Sequence, residues 1–181
     1  ELERKRIDRA ATVDADLERW EREILASGKL PVAPEGLVHA FHLDEAKGNQ
    51  ISDALDAKRS GTVSGNAKWS VGKLAGAMEL DGQTFVPLGE VGAFEQSEAF
   101  SFSVWVNLTS NEASTVLSKM DEVNSFRGYD LIIEQGRVAT HIVHHWPDNG
   151  LKVIAKDPLP LNSWHHVAVT YDGKGKGTGV A

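Results

Sequence analysis

Two carboxylates, Asp130 and Glu134, and five histidines, His141, His144, His145, His165 and His166, are of types that could do chemistry. Glycoside hydrolysis needs two carboxyl groups ~5 to 9.5 Å apart. On an extended strand Asp130 and Glu134 share a face, but at ~3.3 Å per residue they stand ~13 Å apart, too far for an acid and a nucleophile. The spacing predicts a solvated face for both, opposite a buried row of Tyr129, Leu131 and Ile133. Strand geometry weakens a zinc reading in the same way. His141 and His145 share a face at ~13 Å and His144 points away, whereas two imidazoles on one zinc place their nitrogens ~2.0 to 2.1 Å from it. No catalytic residue is assigned.

A sugar site needs an aromatic platform beside side chains that bond hydroxyls, on a loop or an open sheet. Trp146 with Asp148 and Asn149 is the constellation of that kind, and these three are the candidate ligand-binding residues.

These residues need elements to hold them. Residues 1–27 carry apolar residues at Ala10, Val13, Leu17, Trp20 and Ile24, the spacing of one narrow helical seam. Glu1 with Lys5, Arg4 with Asp8, and Glu18 with Arg22 stand four apart, where opposite charges support a helix. Ser27-Gly28 followed by Pro31 and Pro34 stops it. This predicts a charged amphipathic helix over 1–27, a linker over 28–36 and a domain over 37–181. The narrow seam calls for a partner, either an upstream helix or the neighbouring domain.

From Leu37 onward the period is that of strands, separated by clusters of Gly, Asn, Asp and Ser. Strands are predicted at Leu37–Leu43, Gly61–Ser64, Ala77–Leu80, Thr84–Leu88, Phe100–Leu108, Thr115–Met120, Gly128–Glu134, Arg137–His145, Lys152–Ala155 and Trp164–Tyr171. Phe100, Phe102, Val104 and Val106 share one face, and Trp105 lies on the other with Ser101 and Ser103. Gln135-Gly136 predicts a tight hairpin, and Pro147-Asp148-Asn149-Gly150 a slightly longer one. Consecutive hairpins mean antiparallel sheets.

Four strings carry a resemblance: LVHAFHLDE from Leu37, GTVSGNAKWSVGKLAGAMELDGQTFVPLG from Gly61, FSFSVWV from Phe100 and WHHVAVTYDG from Trp164. In this order and spacing they resemble the laminin-G-like, concanavalin A-like lectin/glucanase domain. The resemblance implies an all-β, antiparallel two-sheet jelly-roll sandwich preceded by one α-helix. In such domains the strand ending in YDG is followed by several more, so the domain is expected to be C-terminally truncated, and such a fragment to be poorly stable or to associate. Trp69, Trp105 and Trp164 fall within the matching strings and are expected to pack on the core or the sheets. His166 is expected to be a structural residue beside a tryptophan.

Domains of this class often hold calcium through loop carboxylates. DEAKGNQISD resembles the family's acidic loop, so Asp44 and Asp53 are the calcium candidates for the complete domain, with solvated loop aspartates as the alternative. The hydrolases of this fold carry a tighter triplet of carboxylates on one strand, which this sequence lacks.

The expected function is a non-catalytic recognition module that binds carbohydrate or another cell-surface ligand within a larger exported protein. Its partners would be a glycan, an upstream helix and neighbouring domains of the same polypeptide. A purely structural, domain-docking module is the alternative, and a glycoside hydrolase a remote one. Export is implied by the resemblance alone, and since the chain opens at Glu1 inside a helical pattern, any export signal is expected upstream. The formal charge of -7, from 19 basic and 26 acidic residues, argues against nucleic acid. No apolar run of ~18 residues predicts membrane insertion. Cysteine is absent, which rules out disulfides and thiolate sites without deciding the compartment.

Overall fold

The computed structural model describes residues 35–181 throughout and, before them, residues 12, 13, 15, 16, 18–20, 22, 23, 26 and 33. The chain divides into two compact units, Glu1–Val38 and His39–Ala181.

In the first unit, every described residue from 12 to 26 is helical. Glu18 and Arg22 pair at 3.7 Å, four residues apart, and Asp16 bonds Arg19. Val13 and Trp20 of the proposed seam are exposed. Ala10, Leu17 and Ile24, the pairs Glu1 with Lys5 and Arg4 with Asp8, and the stop at Ser27-Gly28, Pro31 and Pro34 lie outside the described residues.

The second unit is mostly β and antiparallel. Its strands are β1 (Gln50–Ser52), β2 (Ser60–Thr62), β3 (Lys68–Val71), β4 (Gly76–Glu79), β5 (Phe100–Asn107), β6 (Ser114–Asp121), β7 (Arg127–Glu134), β8 (Arg137–His145), β9 (Asn149–Ile154) and β10 (Trp164–Tyr171). Strands β6-β7-β8-β9 form one sheet by consecutive hairpins, β5 pairs with the distant β10, and β1-β2 and β3-β4 are two-stranded ribbons.

Alternation builds the core between the β5/β10 pair and the four-stranded sheet. Val104 faces Val167, Phe102 faces Val169 and Phe100 faces Tyr171 across the β5/β10 ladder. One cluster centres on Val106, Leu131, Val167 and Val169. A second joins Phe100, Tyr129 and Tyr171, with Phe94 stacked on Phe100 at 4.7 Å. Burial of such side chains contributes ~1.5 to 3 kcal/mol each and is the main term holding the two layers together. The hydroxyls of the buried tyrosines are satisfied, Tyr129 donating to the Gly92 carbonyl at 2.7 Å and Tyr171 to that of Gln96 at 2.7 Å.

Four expectations change. Leu37–Leu43 is not a strand, because the Asp53 carboxylate takes the Ala40 amide and only a single bridge, Phe41 to Asp53, remains. Leu43 then turns into the left-handed region at φ 56°. Thr84–Leu88 reduces to the bridge between Ser64 and Phe85, since Pro87 has no amide to continue a ladder. Strands β1 and β3 were not anticipated, being short and mostly polar. The hairpin after β8 is tighter than expected, with Asn149 already paired to His145 and Gly150 to Val143. The Gln135-Gly136 turn takes positive φ at both residues (52° and 76°), as a two-residue antiparallel hairpin requires.

Candidate functional site

The outer face of the β6-β7-β8-β9 sheet gathers most of the residues of chemical interest. Ser118 of β6 stands opposite Asp130 of β7, and His141 of β8 opposite Lys152 of β9. The pairs Tyr129 with Ile142 and Ile132 with Ala139 flank Asp130 and His141 and place them opposite each other. Directly opposed residues share a face, so a polar row of Ser118, Asp130, His141 and Lys152 crosses the sheet.

Asp130 departs from expectation: it is buried, not solvated. Its carboxylate accepts the His141 backbone N–H at 2.7 Å and lies 3.0 Å from His141 Nδ1 through each oxygen. The Thr140 hydroxyl donates to the Asp130 carbonyl at 2.5 Å. Side chains thus replace ladder bonds at this point and clamp the His141 ring. A buried carboxylate requires such partners, because leaving one unpaired costs several kcal/mol. Glu134, further along the same face, is half-buried and pairs with Lys152 at 2.7 Å. The hydrogen bond from Lys152 outweighs desolvation and holds the Glu134 carboxyl below the usual carboxylate range.

Trp146 lies beside the row, against His141. Its ring meets that of His141 edge-on, with centroids 5.4 Å apart at 89°. It also lies over Gly150, where a Cβ would stand 3.2 Å from the indole and 3.5 Å from Val143 Cγ2. Glycine therefore lets the indole lie against the strand while 42% of the residue stays exposed. Asp148, at the hairpin tip, is exposed and stands 4.0 Å from His145. Asn149 is an exposed residue of the first β8/β9 pair. Of the residues beside Trp146, the sequence weighed Asp130 and Glu134 only as a catalytic pair and His141 only as a zinc ligand, and it did not single out Lys152.

The remaining histidines are placed apart. His165 Nε2 lies 2.8 Å from Ser163 Oγ and 3.1 Å from the Pro160 carbonyl. His166 packs against Trp105 at 5.1 Å on the outer face of β5 and β10, with Lys73 Nζ 5.5 Å from the Trp105 ring. Trp105 is thus a sheet-packing residue outside the core. Among the described residues no three His, Asp or Glu side chains gather closely enough to share a metal.

The calcium candidates are unlike each other. Asp44 is exposed. Asp53 is buried and accepts from Ala40 N at 3.1 Å, Leu55 N at 2.9 Å and His39 Nδ1 at 2.8 Å. Burial alone would raise its pKa, but the bonds from His39, Leu55 and Ala40 offset that and hold it at about 2. With both oxygens committed to N–H donors, Asp53 does not fit a cation that wants 6 to 8 oxygen ligands. The reading of Asp53 as a solvated loop residue is likewise replaced by one in which it fastens the segment before β1.

Comparison with known proteins agrees with the layer architecture. The profile of the concanavalin A-like lectin/glucanases superfamily, in its laminin G form, matches residues 80–180, more than half of the chain. No curated protein and no solved structure matches significantly. Domains of this family are lectin-like or binding modules in general, typically extracellular and mostly non-catalytic, although the superfamily includes glycosidases. An antiparallel sandwich of alternating apolar strands, matched over its central and C-terminal strands, places this chain in the concanavalin A-like lectin/glucanase superfamily.

Proposed function

We propose that the chain is a non-catalytic recognition module of an exported protein and that it binds a saccharide on the outer face of the β6–β9 sheet. The observation that carries this reading is Trp146, a half-exposed indole held over Gly150 and against His141, whose ring is in turn fixed by buried Asp130. A sugar ring stacked on that indole reaches the exposed polar groups of Asp148 and Asn149 and the Lys152–Glu134 pair. A platform fixed in advance loses little freedom on binding.

The acid–base chemistry favours recognition over hydrolysis. A general acid for glycoside cleavage needs a raised pKa, yet the hydrogen bond from Lys152 shifts Glu134 down. Screening the full chain on a glycan array, followed by titration of the hits, tests the proposal. Trp146→Ala should abolish binding at a stability cost under ~1.5 kcal/mol, too small to unfold the chain. Retained binding in that variant, or measurable sugar release that depends on Asp130 or Glu134, defeats it.

A domain-docking reading has one observation of its own, the exposed Val13 and Trp20 on the helical segment. Sedimentation of Trp20→Ala against the parent chain tests it, docking through the seam predicting a lower mass for the variant.

A further inference from the structure

A groove of about 360 Å³ lies between the end of the turn entering β2 and the segment 88–91, sharing no residue with the Trp146 face. Phe41, Leu88 and Val91 give it an apolar side, and Lys58, Arg59 and Glu90 its charged groups. We propose that this groove binds a sugar carrying a single carboxylate, a uronate-type ring, with Arg59 as the clamp for the carboxylate.

The guanidinium is held in place before any ligand arrives. Arg59 Nη1 lies 3.1 Å from His39 Nε2, and Arg59 Nε 3.4 Å from Asp56 Oδ2. A guanidinium can only donate, so His39 Nε2 accepts and its ring proton sits on Nδ1, donated to buried Asp53 at 2.8 Å. The chain Asp53, His39, Arg59 thereby anchors a half-exposed guanidinium to the interior. At least three of its five N–H groups, including both on Nη2, have no partner among the described residues. A planar fork with free N–H groups matches a carboxylate bidentately.

Lys58 stands next to Arg59 at the groove, and its ammonium makes no ion pair among the described residues. Phe41 supplies an apolar surface for the ring's C–H face. The volume lies within the ~300 to 1,000 Å³ usual for small-ligand sites.

Charge decides between one carboxylate and a polyanion. Around the groove Asp56 and Glu90 offset two of the three cations, Lys119 pairing with Glu90 at 3.4 Å and Arg59 with Asp56, which leaves Lys58 as the surplus. The local surplus is small, and the chain carries -7 overall. Such a field suits one anionic group and repels a densely sulfated chain.

Calorimetry on the full chain tests this with methyl glucuronide, methyl glucoside, inorganic phosphate and a polysulfated oligosaccharide as probes. The glucuronide should bind at least ~10-fold more tightly than the glucoside, as expected for a charge-assisted bidentate contact. Arg59→Gln should remove that preference and Lys58→Gln, an exposed change that leaves the fold intact, should weaken it several-fold. Trp146→Ala should leave it unaltered, which separates failure here from failure of the Trp146 site. Equal binding of glucuronide and glucoside, or a preference that survives both Arg59→Gln and Lys58→Gln, overturns the proposal. So does phosphate or the polysulfated probe binding as tightly as the glucuronide.

Discussion

The Asp53 carboxylate, whose side chain has no exposed surface, lies 2.8 Å from Nδ1 of His39, and together they fix the segment before β1 without a strand ladder. The folded-state pKa of Asp53 is about 2 against an ordinary 3.8. A depressed carboxyl contributes stability that is present above the unfolded value and is lost as pH falls through the folded one. Asp53 should therefore contribute ~1 to 2 kcal/mol above about pH 4, vanishing near pH 2. Urea unfolding of Asp53→Asn should show a loss of this size at pH 6 and a difference from the parent that narrows towards pH 2. A difference independent of pH across that window rules out the assignment.

Gly128 and Gly82 separate backbone strain from steric conflict. Both have positive φ, 136° and 82°. A Cβ at Gly128 would collide with the Lys119 carbonyl across the β6/β7 ladder, whereas one at Gly82 meets nothing within 4 Å. Gly82→Ala should cost ~1 kcal/mol, from backbone strain alone. Gly128→Ala should cost over ~3 kcal/mol, because strands β6 and β7 must separate to admit it. Thermal melts of the two variants side by side check the order, and equal losses contradict it.

Leu131 and Trp146 should part stability from binding. Leu131 is 1% exposed in the cluster of Val106, Val167 and Val169, so Leu131→Ala leaves a cavity and costs ~2 to 5 kcal/mol. Trp146→Ala removes a half-exposed side chain and should cost under ~1.5 kcal/mol, with its effect on ligand binding. Denaturant midpoints for the two variants give the comparison directly.

How far these sites could be read from the residues depends on which contacts were local. Phe100–Asn107 and Trp164–Tyr171 alternate strictly, so their inward faces were legible from period alone. The bridge at Phe41 was not, because the apolar run from Leu37 looks like a strand and the carboxylate that interrupts it comes from Asp53, beyond a turn. From the sequence Asp130 looks solvated for a related reason. Alternation assigns it a face but not a partner. A usable signal was present: the two-residue turn at Gln135-Gly136 sets partners by counting outward, which places Asp130 opposite His141. Groove residues such as Lys58 and Arg59 lie in loops whose approach to the segment 88–91 no periodicity encodes.

Asp130 should act on ligand binding through His141 and Trp146 rather than by touching the ligand. Its carboxylate holds the His141 ring at 3.0 Å, and that ring buttresses the Trp146 edge at 5.4 Å. Asp130→Ala removes the acceptor for the His141 backbone N–H and should cost ~1 to 3 kcal/mol of stability. Asp130→Asn keeps one acceptor oxygen and should recover most of that loss. Glycan affinity should follow the same order, with the alanine variant weaker than the asparagine one, and tryptophan fluorescence should report a more mobile indole in parallel. If Asp130→Ala weakens binding while Trp146 emission and its quenching by acrylamide stay at parent values, Asp130 contacts the ligand itself. The positioning role requires the two readouts to move together.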